Sequence, residues 1–250
     1  MPQVQLSWGS STHIGQREEN QDRLLAAPPV FAVADGMGGH AAGAEAAQKA
    51  VDCLSALGGR ESLAVEELQE AVRQADDGIR ALGEADPSMV GAGSTVAGVA
   101  LVEDAGELMW AVFHVGDSRV YCWTPHAWGQ VTVDHSLVQV LVDSGHVAPE
   151  NAATHPQRNI VTRALGVGAG GDAAVTLLPL VERQRFLVCS DGLSNEVTDE
   201  WLGELLGGPR SPDVLAQQMV TEAAENGGRD NIAAVVVQVD GLVEDVAPFA

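Results

Sequence analysis

Residues 94–123 read STVAGVALVEDAGELMWAVFHVGDSRVYCW. Three runs inside this stretch, Thr95 to Val102, Leu108 to Val115 and Val120 to Trp123, are rich in the β-branched and aromatic residues that favour strands. Gly116-Asp117-Ser118 supplies a turn between the last two. Strands that follow one another through such turns, with no helix between them, pair antiparallel.

Working outward, the upstream sequence changes period. Ala44, Ala47, Val51, Leu54 and Leu57 fall at helical spacing, and Gly58-Gly59 ends that helix. A second helix carries Leu68, Val72, Ala75, Ile79 and Leu82 on one face. Before them an apolar strand, Val30 to Ala34, closes on Asp35, and the N-terminal segment alternates at Val4, Leu6 and Trp8 before a polar loop over 9–22. Downstream, Ser136 to Asp143 predicts a short helix. Segment 145–171 mixes Gly, Pro, His and Asn as long functional or mobile loops do. Strands at Ala174 to Leu180 and Arg185 to Cys189, helices at Thr198 to Leu206 and Ser211 to Glu225, and a last strand at Ile232 to Val239 complete the reading. Strands and helices come in blocks, without strict βαβ alternation. The expectation is one α+β domain over residues 1–250, with antiparallel sheets and helices packed outside.

Of the 250 residues, 46% are hydrophobic and 19% charged, a globular composition. A net charge of −22 argues against nucleic acid or anionic membrane as partner, since no basic stripe exists to neutralise phosphates. Cys53, Cys122 and Cys189 are too few and too widely spaced for a disulfide framework or a CxxC zinc site, and buried thiols are expected. The N-terminus MPQVQLSWGS has no basic and apolar leader pattern, and no stretch approaches the ~20 apolar residues of a membrane span, so a cytoplasmic protein is expected.

Three apolar runs carry an aspartate at one end: FAVAD at Asp35, FLVCSD at Asp191 and DNIAAVVVQV at Asp230. If the last strand runs antiparallel to the other two, all three carboxylates emerge at one edge of the sheet. Carboxylates so close repel unless protonated or bridged by cations, and their hard oxygens suit Mg²⁺ or Mn²⁺. Taken singly, Asp35-Gly36, Asp117 within its turn and Asp191-Gly192 are ordinary turn signals, and Asp230 could be a cap. The repeated choice of aspartate beside buried strands is what those readings leave unexplained. Arg17, in REENQD just upstream of the first such strand, has the guanidinium geometry that clamps a phosphate.

These residues fall into segments, in order, that resemble the compact bacterial form of the metal-dependent type-2C serine/threonine protein phosphatases. The segments are REENQD (17–22), ADGMGGH (34–40), GST (93–95), VGDSR (115–119), DHS (134–136), RNIVTRALG (158–166), SDGL (190–193) and GRDNI (228–232). The resemblance implies a four-layer α-β-β-α sandwich, two antiparallel sheets flanked by helix pairs. It also implies two core Mn²⁺ or Mg²⁺ ions with a third, weaker one. Asp35 would bridge the core pair, Gly36 would coordinate through its carbonyl, Asp191 and Asp230 would hold the first ion, and Asp22 would anchor waters of the metal shell. Asp117, with Asp191, would hold the third ion, Arg17 would bind the substrate phosphate, and 145–171 would form a flap beside the site. Catalysis is assigned to Arg17, Asp35 and Asp191, with paired ions activating water for in-line attack. The implied partners are phosphorylated proteins and an opposing serine/threonine kinase, with the chain a monomer.

Two departures stand out. Met37 occupies the place of a histidine proposed as general acid in eukaryotic members, and a thioether cannot donate a proton. Gln21 replaces a glutamate found in many members, and a neutral amide is a poorer ligand for a hard cation. His40 lies nearby without a geometric reason to take the acid's role. A hydrolase of small phosphoesters and a catalytically silent binding module are the alternatives. Gly166, Gly168 and Gly171 satisfy G-x-G-x-x-G, but the strand-like sequence after them excludes the helix that a dinucleotide site requires. His135, His146 and His155 are expected to be polar loop residues.

Overall fold

The computed structural model describes residues 3–168 and 170–243. The chain opens with strands β1 (Gln3–His13), β2 (Asp22–Ala27) and β3 (Val30–Met37), then helices α1 (His40–Ser55) and α2 (Val65–Ala85). Strands β4 (Gly93–Ser94), β5 (Val96–Asp104), β6 (Glu107–Val115), β7 (Arg119–Thr124) and β8 (Ala127–Gln130) follow. Helix α3 (Leu137–Asp143) leads into an irregular stretch containing one 3₁₀ turn at Pro149–Thr154. The remainder is β9 (Ala174–Pro179), β10 (Arg185–Cys189), α4 (Asp191–Ser194), α5 (Asp199–Gly207), α6 (Pro212–Glu225) and β11 (Ile232–Val243).

Two antiparallel sheets result. One runs β1-β11-β10-β7-β8, the other β2-β3-β5-β6-β9 with β4 added beside β3. Side-chain alternation explains why these strands read as nearly unbroken apolar runs. In β5, Val96, Ala100 and Val102 face α1 and α2, while Ala97, Val99 and Leu101 face the opposite sheet. In β11, Ile232, Ala234 and Val236 meet α5 and α6, while Ala233, Val235 and Val237 turn inward. Each central strand has apolar neighbours on both faces, which is the layer order of an α-β-β-α sandwich.

The structure adds to the sequence reading in three places. The segment expected to be a loop from Gly9 is strand as far as His13, because β11 is long enough to pair with it through His13↔Ile232. Strand β2, DRLLAA, has little intrinsic β preference and owes its form to pairing from Asp22↔Asp35 to Ala27↔Val30. The short edge strand β8 likewise forms only against β7.

Gly98 lies at the centre of β5, where a Cβ would come within 2.5 Å of both Phe113 Cζ and the Phe31 carbonyl oxygen. The Phe113 ring crosses the strand there. Gly98→Ala is expected to lower unfolding stability by about 1–3 kcal/mol through overpacking, read as a lower urea midpoint at unchanged m-value.

Candidate metal centre

At one end of the sandwich, the aspartates singled out above gather around a basin of about 700 Å³. Asp35 stands near the end of β3, Asp191 opens α4 directly after β10, and Asp230 precedes β11. Asp117 occupies the β6–β7 turn, and all four line the basin. Asp22, opposite Asp35 in the β2–β3 ladder, is buried behind them at 4% exposure. The antiparallel relation of β10 and β11 is as expected. Asp35, however, belongs to the other sheet, so the carboxylates meet where the ends of two stacked sheets converge and not along one sheet's edge.

Both Asp-Gly pairs owe their glycines to close packing. A Cβ on Gly36 would lie 2.0 Å from the Gly43 carbonyl oxygen of α1, and one on Gly192 1.9 Å from the Asn231 carbonyl oxygen. Asp191-Gly192 is therefore the start of a short helix pressed against β11, not a plain turn. Polar side chains fix the surroundings. Ser190 Oγ donates to Asp22 Oδ2 at 2.7 Å and accepts from the Ala233 N–H at 3.0 Å. Asn195 Nδ2 donates to Asp191 Oδ2 at 3.0 Å. Asn231 Oδ1 accepts from the Gln21 N–H, while its Nδ2 donates to the carbonyls of Ile14 and Glu19. That amide ties the loop bearing Arg17 to the start of β11. The sequence reading passed over the positioning work of Ser190, Asn195 and Asn231; the adjacency of Asp230 and Asn231 was its one available signal.

Electrostatically the cluster is strained. Burial, then the charges of Asp22, Asp191, Asp117 and Asp230, hold the Asp35 carboxyl well above its ordinary range. Burial raises Asp22 to about 7, opposed by the Ser190 hydrogen bond and reinforced by Asp191 and Asp230. Asp117 also reaches about 7, from burial and then from Asp191 and Asp134. Asp191 is raised by burial and by Asp230. Each carboxylate makes its neighbours harder to ionise.

Two buried oxygens, Asp22 Oδ1 and Asp191 Oδ1, have no hydrogen-bond partner among the described residues. Orphaned carboxylate oxygens beside a negatively charged basin call for positive charge. Among the described residues, no three His, Cys, Asp or Glu side chains close around a single point as a ready-made cage. Hard cations that keep part of their water shell need only one or two carboxylates each. The splayed, all-oxygen donor set therefore fits partly hydrated divalent ions.

Arg17 lines the basin, but its Nη2 donates to Asp230 Oδ2 at 2.7 Å, an ion pair at a half-exposed position. Met37 and Gln21 are also at the wall. The His40 side chain lies outside the described residues. Within 145–171, Asn159 and Val161 reach the basin. His135 is no simple loop residue. Its ring stacks on His114 with centroids 4.5 Å apart, its Nδ1 accepts from the Gly116 N–H, and burial and its neighbours' charges push it down to about 4. Among the described residues, His146 meets Ser144 and His155 accepts from the Gln157 N–H, contacts local to the loop. Of the cysteines, Cys189 is buried and pushed up to about 12, while Cys53 and Cys122 are only partly buried; none lines the basin. No helix among the described residues is long and apolar enough to cross a membrane.

Comparison with known proteins places this geometry. The profile of the family described as protein phosphatase 2C matches residues 10–236. The serine/threonine protein phosphatase PstP of Mycobacterium tuberculosis is 38% identical over 227 residues, covering 89% of this chain and 43% of PstP. The chain thus spans less than half the length of that relative. The serine/threonine phosphatase stp of Listeria monocytogenes is 36% identical over 228 residues, covering 89% of this chain and 87% of its own. A crystal structure of the PstP catalytic domain in complex with two manganese ions superposes with a TM-score of 0.82 at 32% identity, covering 96% of this chain and 99% of that one. A profile that spans nearly the whole sandwich, together with relatives of this identity, is decisive: the chain belongs to the protein phosphatase 2C family.

Proposed function

We propose that this chain hydrolyses phosphoserine and phosphothreonine in proteins, with divalent cations held by its aspartates. The carrying observation is the convergence of Asp35, Asp117, Asp191 and Asp230 on one basin beside Arg17, with Asp22 buried behind them and two buried carboxylate oxygens orphaned. The two manganese ions in the PstP catalytic domain support Mn²⁺ as the ion, and Mg²⁺ has the same oxygen preference. Asp35 and the Gly36 carbonyl would serve two core ions, with Asp191 and Asp230 on the first and Asp22 behind its water shell. Asp117 with Asp191 would take a third, weaker ion. When bound, the ions supply Lewis acidity that lowers the pKa of water and stabilises charge on phosphorus-bound oxygens.

The chain's own residues supply position and charge. Arg17 would exchange its bond to Asp230 for the phosphate oxygens, which a guanidinium can grip in pairs. Met37 at the wall carries no proton to give, so the leaving alkoxide takes its proton from water or from another group. Asn159 and Val161 put the 145–171 segment where residues beside the phosphorylated side chain would lie, which favours protein substrates over small phosphoesters. A silent binding module would have no need to keep five repelling carboxylates together. Residues 1–250 then act as one catalytic domain whose substrates are phosphorylated proteins, opposing a serine/threonine kinase.

Asp35→Asn should lower kcat/KM on a phosphothreonine peptide by about a hundredfold or more, because the ions are asked for several kcal/mol of barrier lowering. Chelation should abolish turnover of the parent chain and Mn²⁺ should restore it. Full activity after metal stripping would end the proposal, and faster turnover of phosphorylated metabolites than of phosphopeptides would move it to the small-ester reading.

The pH dependence has a definite sign. Asp22 and Asp117 rise from 3.8 to about 7 on folding. A carboxyl whose pKa is raised in the folded state favours folding at low pH, and that contribution is lost as pH climbs from about 4 to about 7. Divalent ions bind the ionised forms and displace the protons. Mn²⁺ should therefore raise Tm more at about pH 8 than at about pH 5, and Asp117→Asn should flatten the metal-free fall in Tm between them. Equal Mn²⁺ stabilisation at both pH values would contradict this.

A further inference from the structure

The ladder beside Asp35 contains a substitution of its own. The flanking pairs Val33↔Ala97 and Gly36↔Ser94 put Asp35 opposite Thr95. The Thr95 N–H donates to the Asp35 carbonyl at 2.8 Å, as an antiparallel ladder requires. The return bond is different. The Asp35 N–H donates to the Thr95 hydroxyl, Oγ1, at 3.1 Å, while the Thr95 carbonyl accepts from Ser94 Oγ at 2.7 Å. A side-chain oxygen stands where a backbone acceptor would be, at the peptide that carries the central carboxylate.

That same Thr95 oxygen lies 2.7 Å from Ser118 Oγ. The Thr95 methyl fills the space over Gly116, where an added Cβ would come within 2.6 Å of Thr95 Cγ2. Gly116 and Ser118 are the two neighbours of Asp117. Thr95 and Ser118 are each 1% exposed, so water does not substitute for either contact. One buried side chain thus touches the backbone of Asp35 in one strand and both residues flanking Asp117 in another turn.

We propose that Thr95 is a positioning residue that sets the separation of the Asp35 and Asp117 carboxylates, and through it the fit of the basin to its cations. The proposal rests on reading those two aspartates as ligands. Asp35 and Asp117 lie just beyond the last regular pairs that join β3 to β6 through β5, Val33↔Ala97 and Val96↔Val115, so at the carboxylates their separation needs a side-chain cross-link. The hydroxyl provides it, accepting from the Asp35 N–H and hydrogen-bonding Ser118, while the methyl only fills the space over Gly116. Valine would keep the shape and lose both hydrogen bonds; serine would keep the bonds.

The test is Mn²⁺ binding to the full chain by titration calorimetry, with circular dichroism melts to follow folding. Thr95→Val should weaken binding by about 10–100-fold, the range typical for groups that orient metal ligands, and Thr95→Ser should stay within about threefold of the parent chain. In a double-mutant cycle the losses from Thr95→Val and Asp117→Asn should be less than additive, because one acts through the other. Parent-like affinity in Thr95→Val, or equal loss in Thr95→Ser and Thr95→Val, would overturn the proposal. If Thr95→Val does not fold, Ser118→Ala carries the test: it leaves the Asp35 bond in place and should still weaken Mn²⁺ binding, and parent-like affinity would overturn the proposal. Absence of Mn²⁺ binding in the parent chain would instead sink the metal-dependent reading of function.

Discussion

Repulsion between carboxylates brought together at the meeting point of two sheets governs this molecule's functional end. Asp22, Asp35, Asp117 and Asp191 are all held above their ordinary pKa, with burial the leading cause in each case. An isolated loop carrying such charges would splay apart. Here the charges sit on strand ends whose other residues are locked in a two-sided apolar core, so hydrophobic burial on both faces of both sheets offsets the electrostatic cost.

The scaffold near the charges is correspondingly rigid. Gly36 and Gly192 allow backbone to approach backbone, α1 against the end of β3 and α4 against the start of β11. Ser190 and Asn231 then stitch the N-terminal loop, β2 and the two central strands of one sheet together through hydroxyl and amide groups that suffer no repulsion. Neutral polar side chains hold the geometry, and charged ones are left to face the basin.

The irregular 145–171 segment is anchored at its base as well. Asp76 of α2, itself 5% exposed, accepts from the Gly166 N–H and pairs with Arg80, whose guanidinium also donates to the Gly168 carbonyl. On the other side Arg163 meets the His135 ring at 3.2 Å, and that ring accepts from the Gly116 N–H. A stretch whose described residues hold only one 3₁₀ turn as a regular element thereby presents Asn159 and Val161 to the basin from defined attachment points.

The amino-acid sequence by itself determined an α+β domain with antiparallel sheets and helices outside, and it marked Asp35, Asp191 and Asp230 at the ends of apolar runs; the four-layer order and the places of Asp22 and Asp117 came from the family resemblance. Period-3.6 and unbroken apolar runs report which faces are buried, and aspartates ending such runs stand out against them. It could not show that Asp35 comes from a different sheet than Asp191 and Asp230, because a strand's pattern records burial and not the partner that buries it. Nor could it show β2 and β8, whose strand form comes from pairing alone, or the glycines' true reason, which is the approach of distant backbone. Ser190, Asn231 and Thr95 fall inside the matching segments, but their bonding roles were not legible, since a short polar side chain reads the same in sequence whether it faces water or joins two buried peptides. Those assignments depend on contacts between residues tens to hundreds of positions apart, and only the tertiary structure brings such residues within hydrogen-bonding distance.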